Sequence, residues 1–208
     1  MWMIPKEGKP PTRPESYHPI SFFEIPGKVL ERVINSRLCI HLESSNYLHP
    51  AQYSFRIGRG TVHAIALATK TMAMHQANGF CCNLVLWDVR KTFDWVRHLN
   101  LKYKILHLGL PALLESLLCD FLDDRSAKVR VGGHLGPAFL IATGVQQGNV
   151  LVPTLYIIYT SDCPVSDAGI NVLYANDVSQ VVYHPGHSSS MMSARTGREI
   201  ARINTFKR

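Results

Sequence analysis

Two carboxylates and an amide are the residues best placed to do chemistry in this chain. Asn176 and Asp177 stand together in LYANDV (173–178), between apolar, strand-like arms, and Asp88 follows the apolar run CCNLVLW (81–87). Asn and Asp are favoured in turns because their side chains bond nearby backbone, so an ordinary turn accounts for the pair. The other reading is a metal site with one ligand altered. Carboxylates meeting at a sheet edge repel unless a cation lies between them. Hard divalent cations such as magnesium take oxygen ligands and bind through one or two carboxylates plus substrate phosphates. The choice depends on the elements that carry these residues.

CCNLVLWDV reads as a short buried strand with Asp88 emerging from its end, and INVLYANDVSQVVYH (170–184) as a hairpin around Asn176-Asp177. Neighbouring strands lie about 4.8 Å apart, so adjacent strands bring such side chains together. Residues 27–45 carry apolar residues at 29, 30, 33, 34, 38, 40 and 42, which is helical spacing, with Glu31, Arg32 and Arg37 on the other side. A second helix is expected from Thr61 to about Ala77, stopped by Asn78-Gly79. Residues 98–120 read as mainly helical with a break at Gly109–Pro111, AKVRV and the segment after Gly132-Gly133 as a hairpin, and GNVLVPTLYIIYTSD as helical. SSSMMSARTGREIARINTFKR reads as an amphipathic helix with Ser caps. The first 16 residues hold four of the twelve prolines and are expected to form an extended arm, followed by a short strand and turn in SYHPISFFEIPG. Helices interleaved with hairpins argue for a layered α+β domain with a mainly antiparallel sheet.

With 208 residues, 46% of them hydrophobic, the chain has ample material for a packed core. Its net charge of +7 suits a polyanion such as nucleic acid. Five cysteines without a CxxC imply a reducing compartment and buried thiols, and no Cys/His grouping has zinc spacing. The N-terminus lacks the apolar core of a signal peptide, and no run approaches the roughly 18–20 apolar residues of a membrane span. The expected location is intracellular, in cytoplasm or nucleus, with no membrane partner.

The blocks SYHPISF, GKVLERVINSRL, FRIGRGT, LVLWDVRKTFDWV, GVQQGNVLVPTLY and LYANDV occur in an order and spacing that resembles the reverse transcriptase domain of non-LTR (LINE-type, Jockey-like) retrotransposons, from about Ile4 to Arg208. The resemblance implies a fingers–palm fold with fingers over 1–80, palm over 81–208 and a fingers-like insertion at roughly 95–141. It implies RNA-directed DNA polymerase activity by two-magnesium phosphoryl transfer, with an RNA template, a DNA primer and deoxynucleotide triphosphates as partners. Asp88 and Asp177 match the metal-binding aspartates, and Asn176 occupies the position of a further catalytic aspartate in the family's Tyr-Ala-Asp-Asp turn. Phe93 matches the position that crowds the sugar 2′-hydroxyl, and Gln147 and Gly148 match the pair lining the nucleotide pocket. Lys6, Lys9 and Arg56 fall in fingers blocks whose basic groups face template or triphosphate.

The departures from the family pattern imply an impaired copy. Asn176 keeps one neutral carbonyl oxygen where the family has an anion, and metals about 3.5–4 Å apart need anionic ligands around them. A catalytic electrostatic contact worth about 4 kcal/mol predicts a loss on the order of a thousandfold. Gln146, Asn149, Gly60 and His18 also depart from the family's Pro, Ser, Ser and Arg. The chain is expected to be truncated, without the thumb and the endonuclease of such elements. The alternative function is a catalytically inert nucleic-acid-binding remnant. Other suggestive residues have plain readings: Asp123-Asp124 as a polar helix end, the Met pairs as packing, and His41, His63, His98 and His107 as scattered core or surface residues.

Overall fold

The computed structural model describes residues 2–13, 16–20, 24–88, 92–131, 133–146, 148–164, 166, 169–185 and 189–206. The elements in order are β1 (Trp2–Pro5), β2 (Tyr17–Ile20), α1 (Ile25–Ser44), α2 (Thr61–Ala77), β3 (Phe80–Asp88), α3 (His98–Leu106), α4 (Ala112–Leu122), β4 (Ser126–Val131), β5 (His134–Leu140), α5 (Val152–Tyr159), β6 (Gly169–Tyr174), β7 (Asp177–Pro185) and α6 (Ser189–Phe206). They pack as two units, one of Met1–Tyr47 with Lys91–Tyr159 and one of Leu48–Arg90 with Thr160–Arg208.

The first unit holds α1, α3, α4 and α5 and a four-stranded sheet of order β2-β1-β4-β5. The proline-rich start, expected as an extended arm, therefore contributes a strand to this sheet. β1 lies inside this sheet, antiparallel to β2 and parallel to β4 through Trp2↔Arg130. Its one proline, Pro5, is tolerated because it ends the strand, where a missing N–H costs no interior ladder bond. Helix α5, VPTLYIIY, is apolar nearly all round and buries Leu155, Ile157 and Ile158 almost completely. Such a helix belongs in a core rather than at a surface. Leu38, Leu101, Ile105 and Leu118 complete the core from the other helices.

Helix α1 departs from its sequence reading. Its buried residues are Glu31, Leu38 and Leu42, whereas Val29, Leu30, Val33 and Ile40 are exposed. The reason is polar: Glu31 Oε2 accepts the Val150 N–H at 2.8 Å, and Asn35 Oδ1 accepts the Thr154 hydroxyl at 2.7 Å. Positions 31, 35, 38 and 42 form one helical stripe, so its polar end satisfies backbone while its apolar end enters the core.

The second unit contains the antiparallel sheet β3-β7-β6. Val182 packs with Met192 of α6, while Tyr183 stacks on His75 of α2 with ring centroids 3.6 Å apart. Adjacent strand residues face opposite ways, so the two helices cover opposite faces of the sheet. The cysteines are all free, but only Cys163 is buried; the other four are half-buried. No helix among the described residues is long and apolar enough to cross a membrane.

Candidate active site

The β3–β7 register is continuous from Phe80↔Pro185 to Asp88↔Asp177. The two aspartates are thus cross-strand partners at one end of the second unit's sheet. β7 pairs on its other side with β6, and Tyr174↔Asp177 closes a two-residue loop of Ala175 and Asn176. Asn176 is half-buried and Asp177 exposed. Ala175 has φ 54°, a left-handed value that leaves room for the tightest hairpin turn but is disfavoured for a residue with a Cβ.

The segment before α2 braces this hairpin. Tyr53 N–H donates to Leu173 O and Leu173 N–H to Ala51 O, both at 2.8 Å, and Thr61 Oγ1 donates to the Tyr174 hydroxyl at 3.3 Å. Ala175 N–H donates to Ser54 Oγ at 2.7 Å. Arg56 Nη1 donates to His49 O at 3.2 Å, so part of this guanidinium serves the loop itself. His49 Nδ1 accepts the Ala51 N–H at 3.1 Å. Burial holds its imidazole below its usual pKa, with a backbone hydrogen bond to Cys163 opposing. Gln52 and Ser54 were not singled out by sequence reasoning. The only signal was two polar residues in a Pro- and Gly-punctuated loop, which does not separate a brace from solvated loop.

Phe93 and Gly148 lie in the first unit. The Phe93 ring sits 5.1 Å from that of Tyr156, and its carbonyl accepts the Val145 N–H at 2.8 Å. Gly144, at φ 89°, allows this close approach: a Cβ there would meet Asp94 O at 3.0 Å. Gly148 is exposed with φ 106°. Gln147 lies outside the described residues. Next to Gly148, Asn149 is buried, and neither polar atom of its side-chain amide has a hydrogen-bond partner among the described residues. Arg125 is held below the usual guanidinium pKa by desolvation, with the Glu31 carboxylate opposing. Lys9 is exposed in the β1–β2 connection and Lys6 is half-buried there, its N–H on Ser16 O at 2.7 Å. Asp123 is paired with Lys102, in keeping with a polar helix end.

The donor set at the sheet end is all oxygen: carboxylates at 88 and 177 and an amide at 176. Such donors suit magnesium or manganese rather than zinc, whose structural sites use thiolate and imidazole. Among the described residues no group of three or more His, Cys, Asp or Glu is arranged to hold a metal.

An antiparallel sheet with helices on both faces thus carries the two aspartates at one end, beside a tight hairpin. Residues 4–184 match the reverse transcriptase (RNA-dependent DNA polymerase) family, and the chain belongs to it. Among its relatives is the probable RNA-directed DNA polymerase from transposon X-element of Drosophila melanogaster, 35% identical over 168 residues, covering 81% of this chain and 18% of the relative. The polymerase of the mobile element jockey from the same fly is 35% identical, over 78% of this chain and 18% of its own length. These are non-LTR retrotransposon polymerases, and the chain spans about a fifth of their length. In fold it is similar to Candida tropicalis apo telomerase, with TM-score 0.54 and 12% identity over 83% of this chain and 36% of that one. Candida albicans telomerase in complex with a telomeric RNA fragment gives TM-score 0.55 and 13% identity, over 86% of this chain and 33% of that one. The fold is the fingers–palm α+β arrangement.

Proposed function

We propose that this chain is the fingers–palm portion of an RNA-directed DNA polymerase whose metal site is weakened by Asn176. The observation that carries this reading is the Asp88↔Asp177 register beside the Asn176 turn. Fingers are assigned to 1–80 and palm to 81–208 with a fingers-like insertion near 95–141; the segment from Leu48 to Phe80 packs with the aspartate-bearing unit. Template RNA, DNA primer and deoxynucleotide triphosphates are the proposed partners.

Asp88 and Asp177 would hold the divalent ion, with the Asn176 carbonyl as a neutral donor. When bound, magnesium supplies a lowered pKa at a primer 3′-hydroxyl and charge stabilisation at the leaving pyrophosphate. The protein's own part is orientation: a rigid strand pair fixes the carboxylates before substrate arrives, so little reorganisation is needed. Phe93 crowds the sugar, and Gln147, Gly148, Arg56 and Lys9 are the proposed nucleotide contacts. One anion fewer at 176 leaves charge for one ion better than for two.

Manganese titration of the isotope-labelled chain tests this. Amides at the 88 and 177 strand ends should broaden first. Asn176→Asp should lower the midpoint about tenfold or more, since it adds a negative charge in the turn next to Asp177. Broadening centred elsewhere, or a midpoint indifferent to Asp88→Asn, rejects the site. A second reading, an inert nucleic-acid binder, is favoured by the same Asn176 together with the net charge of +7.

A further inference from the structure

The Ala175–Asn176 turn needs a device to hold it, because a residue with a Cβ sits where such turns favour glycine. That device lies more than a hundred residues earlier in the chain. Ser54, 2% exposed, accepts the Ala175 N–H at 2.7 Å and donates its own proton to Gln52 Oε1 at 3.1 Å. The same Gln52 oxygen takes the N–H of Tyr53 at 3.1 Å and of Ser54 at 3.3 Å. Gln52 is 1% exposed, and its backbone carbonyl is held by Arg59 Nη1 at 3.3 Å. A hydroxyl has one proton; committing it to Gln52 leaves its lone pairs for Ala175.

We propose that Ser54, oriented by Gln52, is a positioning residue that locks the Ala175–Asn176 turn and thereby sets where Asp177 presents its carboxylate. The role given to Asp177 rests on the polymerase reading; the lock on the turn does not. Buried acceptors of this kind act by exclusion. Without the Ser54 oxygen, the Ala175 N–H has no partner, and the turn relaxes toward conformations that an alanine prefers.

The test uses the full-length labelled chain and two readouts, amide exchange at residue 175 and the manganese midpoint. Ser54→Ala should speed exchange at 175 by about tenfold, the loss of one hydrogen bond, while amides of Val181 and Val182 stay protected. It should also raise the manganese midpoint. Adding Ala175→Gly, which removes the penalty of the left-handed backbone, should restore that midpoint; a simple loss of packing would not respond. Ser54→Cys, which keeps a weak acceptor should the alanine variant unfold, should give intermediate exchange. Unchanged exchange at 175 in either variant overturns the proposal, as does a midpoint that glycine fails to restore. If neither the native chain nor Asn176→Asp takes up manganese, the polymerase reading has failed. Faster exchange confined to the turn then still supports the lock, and unchanged exchange still overturns it.

Discussion

On the reading proposed above, Asn176 differs from the family's aspartate by a single charge, and at a metal site charge matters more than shape. His49 shows the complementary case, where acquiring a charge does the damage. Its Nδ1 accepts the Ala51 N–H, which a protonated imidazole cannot do, and burial holds its pKa below the usual 6.5. The unfolded chain therefore binds the proton first as pH falls. The stability contributed is present above about 6.5 and lost as pH drops through the folded pKa. Thermal unfolding midpoints measured from pH 7 to pH 5 should fall further for the native chain than for His49→Asn, whose amide oxygen still accepts. Parallel falls would show that His49 is not the sensitive group.

At the scale of elements, helix α1 is tied to the segment after Gly148 by a carboxylate rather than by grease. Glu31→Ala leaves the Val150 N–H without its acceptor and should cost about 1–3 kcal/mol in urea unfolding, with Glu31→Gln costing less. A loss no greater than for an exposed position such as Arg37→Ala would deny the tie. The sequence reading found this helix but misplaced its buried face, because the partner of Glu31 lies 119 residues away, where periodicity has no reach. At the start of the chain the reading gave an extended arm and missed its place in a sheet, because proline content masked β1 and its parallel partner Arg130 lies far along the chain. Elements whose signals are local were legible: α2 spans Thr61–Ala77 as expected, since Asn78-Gly79 stops it. The β6–β7 hairpin was legible from its two apolar-rich arms around Asn176-Asp177. The Gln52–Ser54 brace was not, because hydrogen bonds between a loop and a turn leave no pattern in spacing or composition.

For the whole molecule the fold is that of a reverse transcriptase, and the proposed weakening at Asn176 concerns only one end of one sheet. The second reading proposed above rests on the net charge of +7, which suits polyanions whether or not the aspartates hold a metal. Binding to single-stranded RNA should weaken steeply with salt, log K falling by about 0.7 per phosphate neutralised for each unit of log salt. Asp88→Asn should leave that slope unchanged, and a flat salt response would remove the nucleic-acid reading altogether. The most direct measurement is primer extension on an RNA template with magnesium, comparing the native chain, Asn176→Asp, and Asn176→Asp combined with Asp88→Asn. The account predicts that Asn176→Asp extends on the order of a thousandfold faster than the native chain and that adding Asp88→Asn abolishes the gain. Native extension equal to that of Asn176→Asp, or a folded, template-bound Asn176→Asp that does not extend, would contradict it.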